Sequence, residues 1–100
     1  MEIKGTLPVA LKMVVGQTEI KSKQIVMRPL TTIEYMSQQG QAKQGQYLGV
    51  IELTSMTKLI DEEGQEHTIT YDMLGYSSHS NYVYLQGLKE DLEAKEQAES

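Results

Sequence analysis

Two histidines, His67 and His79, are the only side chains here that titrate near neutrality without perturbation. His67 follows a run of acids, Asp61, Glu62, Glu63 and Glu66, and imidazole with carboxylates suits several divalent ions. The spacing argues against a calcium loop, because Gly64 is fourth from Asp61 where an EF-hand needs its glycine sixth. A solvated acidic turn accounts for the run. His79 lies between Ser78 and Ser80, but neighbours in sequence do not make the geometry of a catalytic triad. Serines at that point suit a helix N-cap instead. Gly40 and Gly45 have the spacing of a phosphate loop, yet Gln46-Tyr47 stands where Lys-Ser/Thr is required. With no cysteine there are no thiolate nucleophiles, disulfides or cysteine-ligated metals. The chain therefore reads as a non-enzyme with no cofactor and no metal.

Binding chemistry remains. Tyr71, Tyr76, Tyr82 and Tyr84 fall within fourteen residues, and tyrosine is enriched at protein interfaces. With no Phe or Trp, the same tyrosines are alternatively the aromatic part of the core. Tyr82 suits the core and Tyr84 the surface. Internal methionines at 13, 27, 36, 56 and 73 divide between core filling and adaptable surface.

These side chains need elements to hold them. Leu7, Val9, Leu11, Met13 and Val15 alternate, which predicts a strand with one buried face. Gly16-Gln17 makes the turn, and Thr18 to Met27 returns as a second strand with a polar, edge-like middle, Lys21 to Gln24. Pro29 ends the hairpin. Thr31 and Glu34 have capping-box spacing and predict a short helix to Gln39. A Gln/Gly-rich loop, 40–46, precedes a predicted buried helix from Tyr47 to Ile60 with a wide apolar arc. An acidic turn, 61–66, leads to a brief extended stretch at Thr68-Ile69, then one helical turn capped by Thr70 and closed by Gly75. The last helix runs from Ser80 to Ala98, with Leu85, Leu88 and Leu92 on one face and a charged, fraying tail over 93–100.

The prediction is one α+β domain over residues 1–100, an N-terminal β-hairpin (1–30) followed by three to four helices (31–92), the last long. Residues 1–30 carry five basic and two acidic side chains, a balance of +3, and residues 31–100 a balance of −8. A net charge of −5 disfavours nucleic acid, and no apolar run is long enough to span a bilayer. The broken apolar start suits no secretory signal, so a cytoplasmic location is expected.

Arg28-Pro29-Leu30-Thr31 leads from strand to helix, and Leu48-Gly49-Val50-Ile51-Glu52-Leu53 with Met56-Thr57-Lys58-Leu59 follows. Tyr71-Asp72-Met73-Leu74 then precedes a serine-rich break, with Tyr82 and Leu85-Gln86 opening the last helix. In order and spacing, over roughly residues 10–92, this resembles the tail assembly chaperones of Mu-like and P2-like tailed bacteriophages. The Gln/Gly-rich loop and the charged tail depart from that pattern. The resemblance implies a cytoplasmic protein of the bacterial host that binds the phage tail tape measure protein and keeps it soluble. The tail tube protein and further copies of the chain stay open as additional partners; nucleic acid and membrane are not among them. Tyr84, Leu88 and Leu92 are the expected partner-binding residues, since the last helix looks too long to be buried throughout. The alternatives are a minor structural or tail-completion protein of the virion, or a small acidic regulator acting by protein–protein binding.

Overall fold

The computed structural model describes residues 1–99. Strand β1 (Ile3–Val15) turns at Gly16, whose φ of +64° suits glycine, and pairs antiparallel with β2 (Thr18–Met27). Helix α1 (Thr32–Gly40) and helix α2 (Leu48–Met56) follow, then strands β3 (Thr57–Ile60) and β4 (Glu66–Thr68). Helix α3 (Tyr71–Gly75) and helix α4 (His79–Glu99) complete an α+β fold. The four strands lie in sequence order, all antiparallel, although two helices are inserted between β2 and β3. No described helix is long and apolar enough to cross a membrane.

Local signals set most boundaries. Thr31 Oγ1 accepts from Glu34 N–H at 3.1 Å while Glu34 Oε1 accepts from Thr31 N–H at 2.9 Å, so two orphan donors of α1 are satisfied reciprocally. That pairing holds the Glu34 carboxyl below its usual pKa. Thr70 Oγ1 caps α3 by accepting from Met73 N–H, and Ser78 Oγ accepts from Ser80 N–H as α4 begins.

One boundary differs from the sequence expectation. The helix predicted over Tyr47–Ile60 stops at Met56, and Thr57–Ile60 is strand β3. Thr54 and Ser55 turn their hydroxyls onto the carbonyls of Val50 and Ile51, which weakens the last helical turn. Thr57 and Leu59 then alternate into the core while β3 pairs with Ile25–Met27 of β2. The wide apolar arc was a helix stripe continued by a strand. Beyond it, the extended stretch lies at Glu66–Thr68, two residues earlier than expected, and pairs with β3.

The core joins both layers. Leu7, Leu11, Ile25, Met27 and Leu59 from the sheet meet Leu53, Met56, Ile69, Leu74, Leu85, Leu88 and Leu92. Burying a leucine of this kind contributes roughly 1.5–3 kcal/mol. Val9 and Val15 were expected inside with Leu7 and Leu11, but both are exposed. Val15 keeps the parity of Leu11 and Met13 but lies at the hairpin tip, beside the Gly16 turn; for Val9 the cause is a bulge. Thr6 pairs with Gln24 and Leu11 with Ser22, so Leu7–Ala10 together face Lys23. Pro8, with no N–H to contribute to a ladder, sits inside this irregularity.

Asn81 fills the gap. It is fully buried, its Oδ1 accepting from Val9 N–H and its Nδ2 donating to Val9 C=O, both at 3.0 Å. One side-chain amide thus does for Val9 what a neighbouring strand would. Tyr84, one turn further along α4, accepts from Thr6 N–H at 3.0 Å. Replacing Asn81 with Ala leaves both Val9 groups without these partners, and each orphan costs about 1–3 kcal/mol. Urea unfolding should show Asn81→Ala destabilised by roughly 2–4 kcal/mol; a change within the noise of the titration would remove the clamp from the list of stabilising contacts.

Candidate protein-binding surface

The expected partner-binding residues were Tyr84, Leu88 and Leu92, and the structure places them together on α4 but turned inward. Leu92 is 0% and Leu88 8% exposed, both packed in the core against β1 and β2. Tyr84 is half-buried, its hydroxyl occupied by Thr6, and it lies over Gly5 so closely that a Cβ there would collide with Tyr84 Oη. These residues hold α4 to the sheet and leave no apolar surface for a partner. The excess length of α4 is instead in its end: Glu93–Glu99 remain helical and exposed.

The apolar surface is on α1. Pro29 breaks the strand, the capping box starts the helix, and the Gly40–Gln46 segment ends it, so α1 stands as a short unit packed on α2. It contributes no buried residue at all. Ile33 is 80% and Met36 62% exposed, three residues apart and so on one face. Tyr47 and Leu48, at the start of α2, are also exposed. Tyr47 N–H donates to Tyr71 Oη at 2.8 Å, which ties this start to α3. Isolated exposed apolar residues are ordinary, but an amphipathic helix with its apolar side in solvent is a candidate interaction surface. Sequence reasoning found the helix but not its orientation. The available signal was that Ile33 and Met36 had no facing apolar stripe assigned to cover them.

The tyrosine cluster divides. Tyr76 is exposed, while Tyr71, Tyr82 and Tyr84 are half-buried. Met27 and Met56 are core residues and Met36 is surface.

The residues that suggested chemistry have structural roles. His79 stacks on Tyr82, with ring centroids 6.0 Å apart. His67 Nε2 and Asp61 Oδ2 are 2.8 Å apart across the β3–β4 turn. Asp61 Oδ1 also accepts from Glu63 and Gln65 N–H at 2.9 Å, so one carboxylate organises the whole turn. The His67 contact, then the Gln65 N–H, hold the Asp61 carboxyl below its usual pKa. Among the described residues no group of three or more acids or histidines could hold a metal ion. Arg28 forms paired hydrogen bonds to Glu66 at 2.7 Å and reaches Glu2 at 3.0 Å, linking the start of β1 and the end of β2 to β4 on an exposed surface where such pairs add little.

The chain matches no family model, no curated protein and no solved structure.

Two predictions follow from these contacts. Gly5→Ala should cost about 1–3 kcal/mol by driving a methyl into the Tyr84 hydroxyl. In a Tyr84→Phe background the same change should cost measurably less, and equal costs in a double-mutant cycle would show that the two groups do not meet. Because the folded-state pKa of Asp61 is depressed, its contribution is complete above the unfolded value of about 4 and is lost as pH falls through the folded one. The stability gap between wild type and Asp61→Asn should therefore close on acidification from about pH 5 to about pH 2. A gap that stays constant would contradict the depressed pKa.

Proposed function

We propose that this protein acts by binding an amphipathic helix of another protein and that it is a phage tail assembly chaperone, covering the tape measure protein in the bacterial cytoplasm until the tail is built. The observation that carries the binding part is α1, which buries none of its own residues and holds Ile33 and Met36 in solvent. Two helices pack face to face through ridges of residues spaced three and four apart, and Ile33 and Met36 have this spacing. A soluble chain gains nothing from keeping such a face bare, whereas a chaperone needs one that can be covered and uncovered. The tape measure part rests on the order of segments from Arg28-Pro29-Leu30-Thr31 to Leu85-Gln86.

Co-expression with the phage's tape measure protein tests it. Wild type should co-purify and keep that protein soluble, and should be missing from finished particles. Ile33→Asp with Met36→Asp should abolish co-purification, as loss of two anchors worth about 2 kcal/mol each would. Both residues are exposed, so stability should move by no more than about 0.5 kcal/mol. A complex that survives the double substitution would rule out the α1 face. Presence in purified particles would favour a minor structural or tail-completion protein instead.

A further inference from the structure

Helix α1 and the segment after it are fastened to the rest of the chain at two ends only. Before α1, Arg28 N–H donates to Met56 C=O at 2.9 Å and Leu30 packs on the core. After it, Tyr47 N–H donates to Tyr71 Oη. Between these anchors every hydrogen bond is local. The Thr31–Glu34 box and the helix ladder hold α1, and Gln41 and Ala42 N–H close its end on the carbonyls of Gln38 and Gln39. Lys43 N–H donates to Gln46 Oε1 and Gln46 N–H to Lys43 C=O, around Gly45 at φ +88°. Among the described residues, no hydrogen bond or ion pair joins 31–46 to any other part of the molecule.

Packing does not make up for this. Both polar atoms of the Gln39 side chain, Oε1 and Nε2, are shut off from solvent without a partner. A buried amide in that state has lost its water and gained nothing in return. Hollows flank α1 on both sides. One, of about 310 Å³, lies between Thr32, Tyr35 and the end of α4. The other, of about 290 Å³, has Gln38, Gln41 and Gln46 over a floor that includes Ile51 and Ile69. Glutamines above isoleucines neither bond to that floor nor fill the space to the density of a core. Ile51 is 8% exposed but stands outside the core cluster, so this segment, with Tyr71, is what covers it.

We infer that residues 31–46 are a hinged strap, strained by the orphaned Gln39 amide, that lifts from α2 and uncovers Ile51 while the sheet and the other helices stay folded. Lifting hydrates the Gln39 amide and breaks no hydrogen bond of the remaining fold. A nine-residue helix does not hold its shape alone in water, so α1 melts as it lifts. The closed strap shows Ile33 and Met36 to solvent. The open one adds Ile51 to Leu48, three residues before it on α2 and already exposed, so a second apolar stripe appears. This opening belongs to the free chain and holds whatever partner it meets.

Hydrogen exchange on the full chain, followed by NMR, tests this. The amides of Met36–Gln39 should be protected at least ~100-fold less than those of Ile25–Met27, because they open without global unfolding. Their exchange should also be indifferent to ~1 M urea, which speeds only openings that expose much surface. Gln39→Met keeps the side chain's length and helix propensity but removes the amide, and should slow α1 exchange about tenfold. Equal protection and equal urea dependence of α1 and β2 would make them one cooperative unit and overturn the inference. Exchange of α1 at the rate of an unstructured peptide in both proteins would mean that no closed state exists, and overturns it too. A second measurement serves if Gln39→Met is misfolded by circular dichroism. The chain has no cysteine, so Ile51→Cys and Leu53→Cys each offer a single thiol. Cys at 51 should react with a disulfide reagent at least ~100-fold faster than Cys at 53, which waits for global unfolding. Equal rates overturn the strap. A fast reaction at 51 that a folded Gln39→Met leaves unchanged means that the reagent enters past a closed strap, and overturns it as well. Neither measurement uses a partner, so failure of the tape measure reading would leave these results standing.

Discussion

The fold depends on a break in its own first strand. A bulge in β1 leaves the peptide groups of Val9 outside any strand ladder, and buried peptide groups must find partners. Asn81 supplies both at once from the first turn of α4. That single amide decides where the last helix begins to touch the sheet. Tyr84 at Thr6 and Leu88 over Gly5 then follow from helical spacing, as does Lys95 at Glu2. The leucine stripe makes the contact energetically favourable, but apolar packing alone tolerates sliding. The two hydrogen bonds set the register.

Because α4 is committed to the sheet in this way, its apolar residues are spent internally, and α1 is the helix left facing outward. The outward apolar face expected of α4 at Leu88 and Leu92 is found instead on α1, at Ile33 and Met36. Leu88 and Leu92 looked surplus because α4 is long, yet the surplus is the charged end after Leu92, not the leucines. A helix with one apolar stripe has one face to bury, and in α4 β1 and β2 already take it.

What was legible in the sequence was local. Gly16 in its turn, the Thr31–Glu34 box and the Thr70 cap each rest on residues within three positions of one another, where residue type alone fixes the geometry. The α+β class followed from the change of apolar period between the first thirty residues and the rest. The boundary at Met56 was hidden because Thr57 and Leu59 continue the apolar pattern of α2, and only the vacant side of β2 turns them into a strand. The exposure of Val9 and the burial of Asn81 were invisible for a stronger reason. Val9 turns outward because of a bulge that its own alternation does not announce, Asn81 is buried because it meets the open peptide group there, 72 positions distant, and a lone asparagine carries no period. The outward face of α1 was likewise a question of what does not pack against it.

The distance between Val9 and Asn81 also orders events during synthesis. Translation proceeds at ~5–20 residues per second, so the clamp's amide is made roughly 4–14 s after the strand it completes. In that interval the hairpin can form, because its contacts are near in sequence, but its bulge stays open to solvent. The apolar side of β1 waits for the same helix. The nascent chain therefore presents an incompletely paired ribbon until α4 emerges, and cooperative folding waits for that helix.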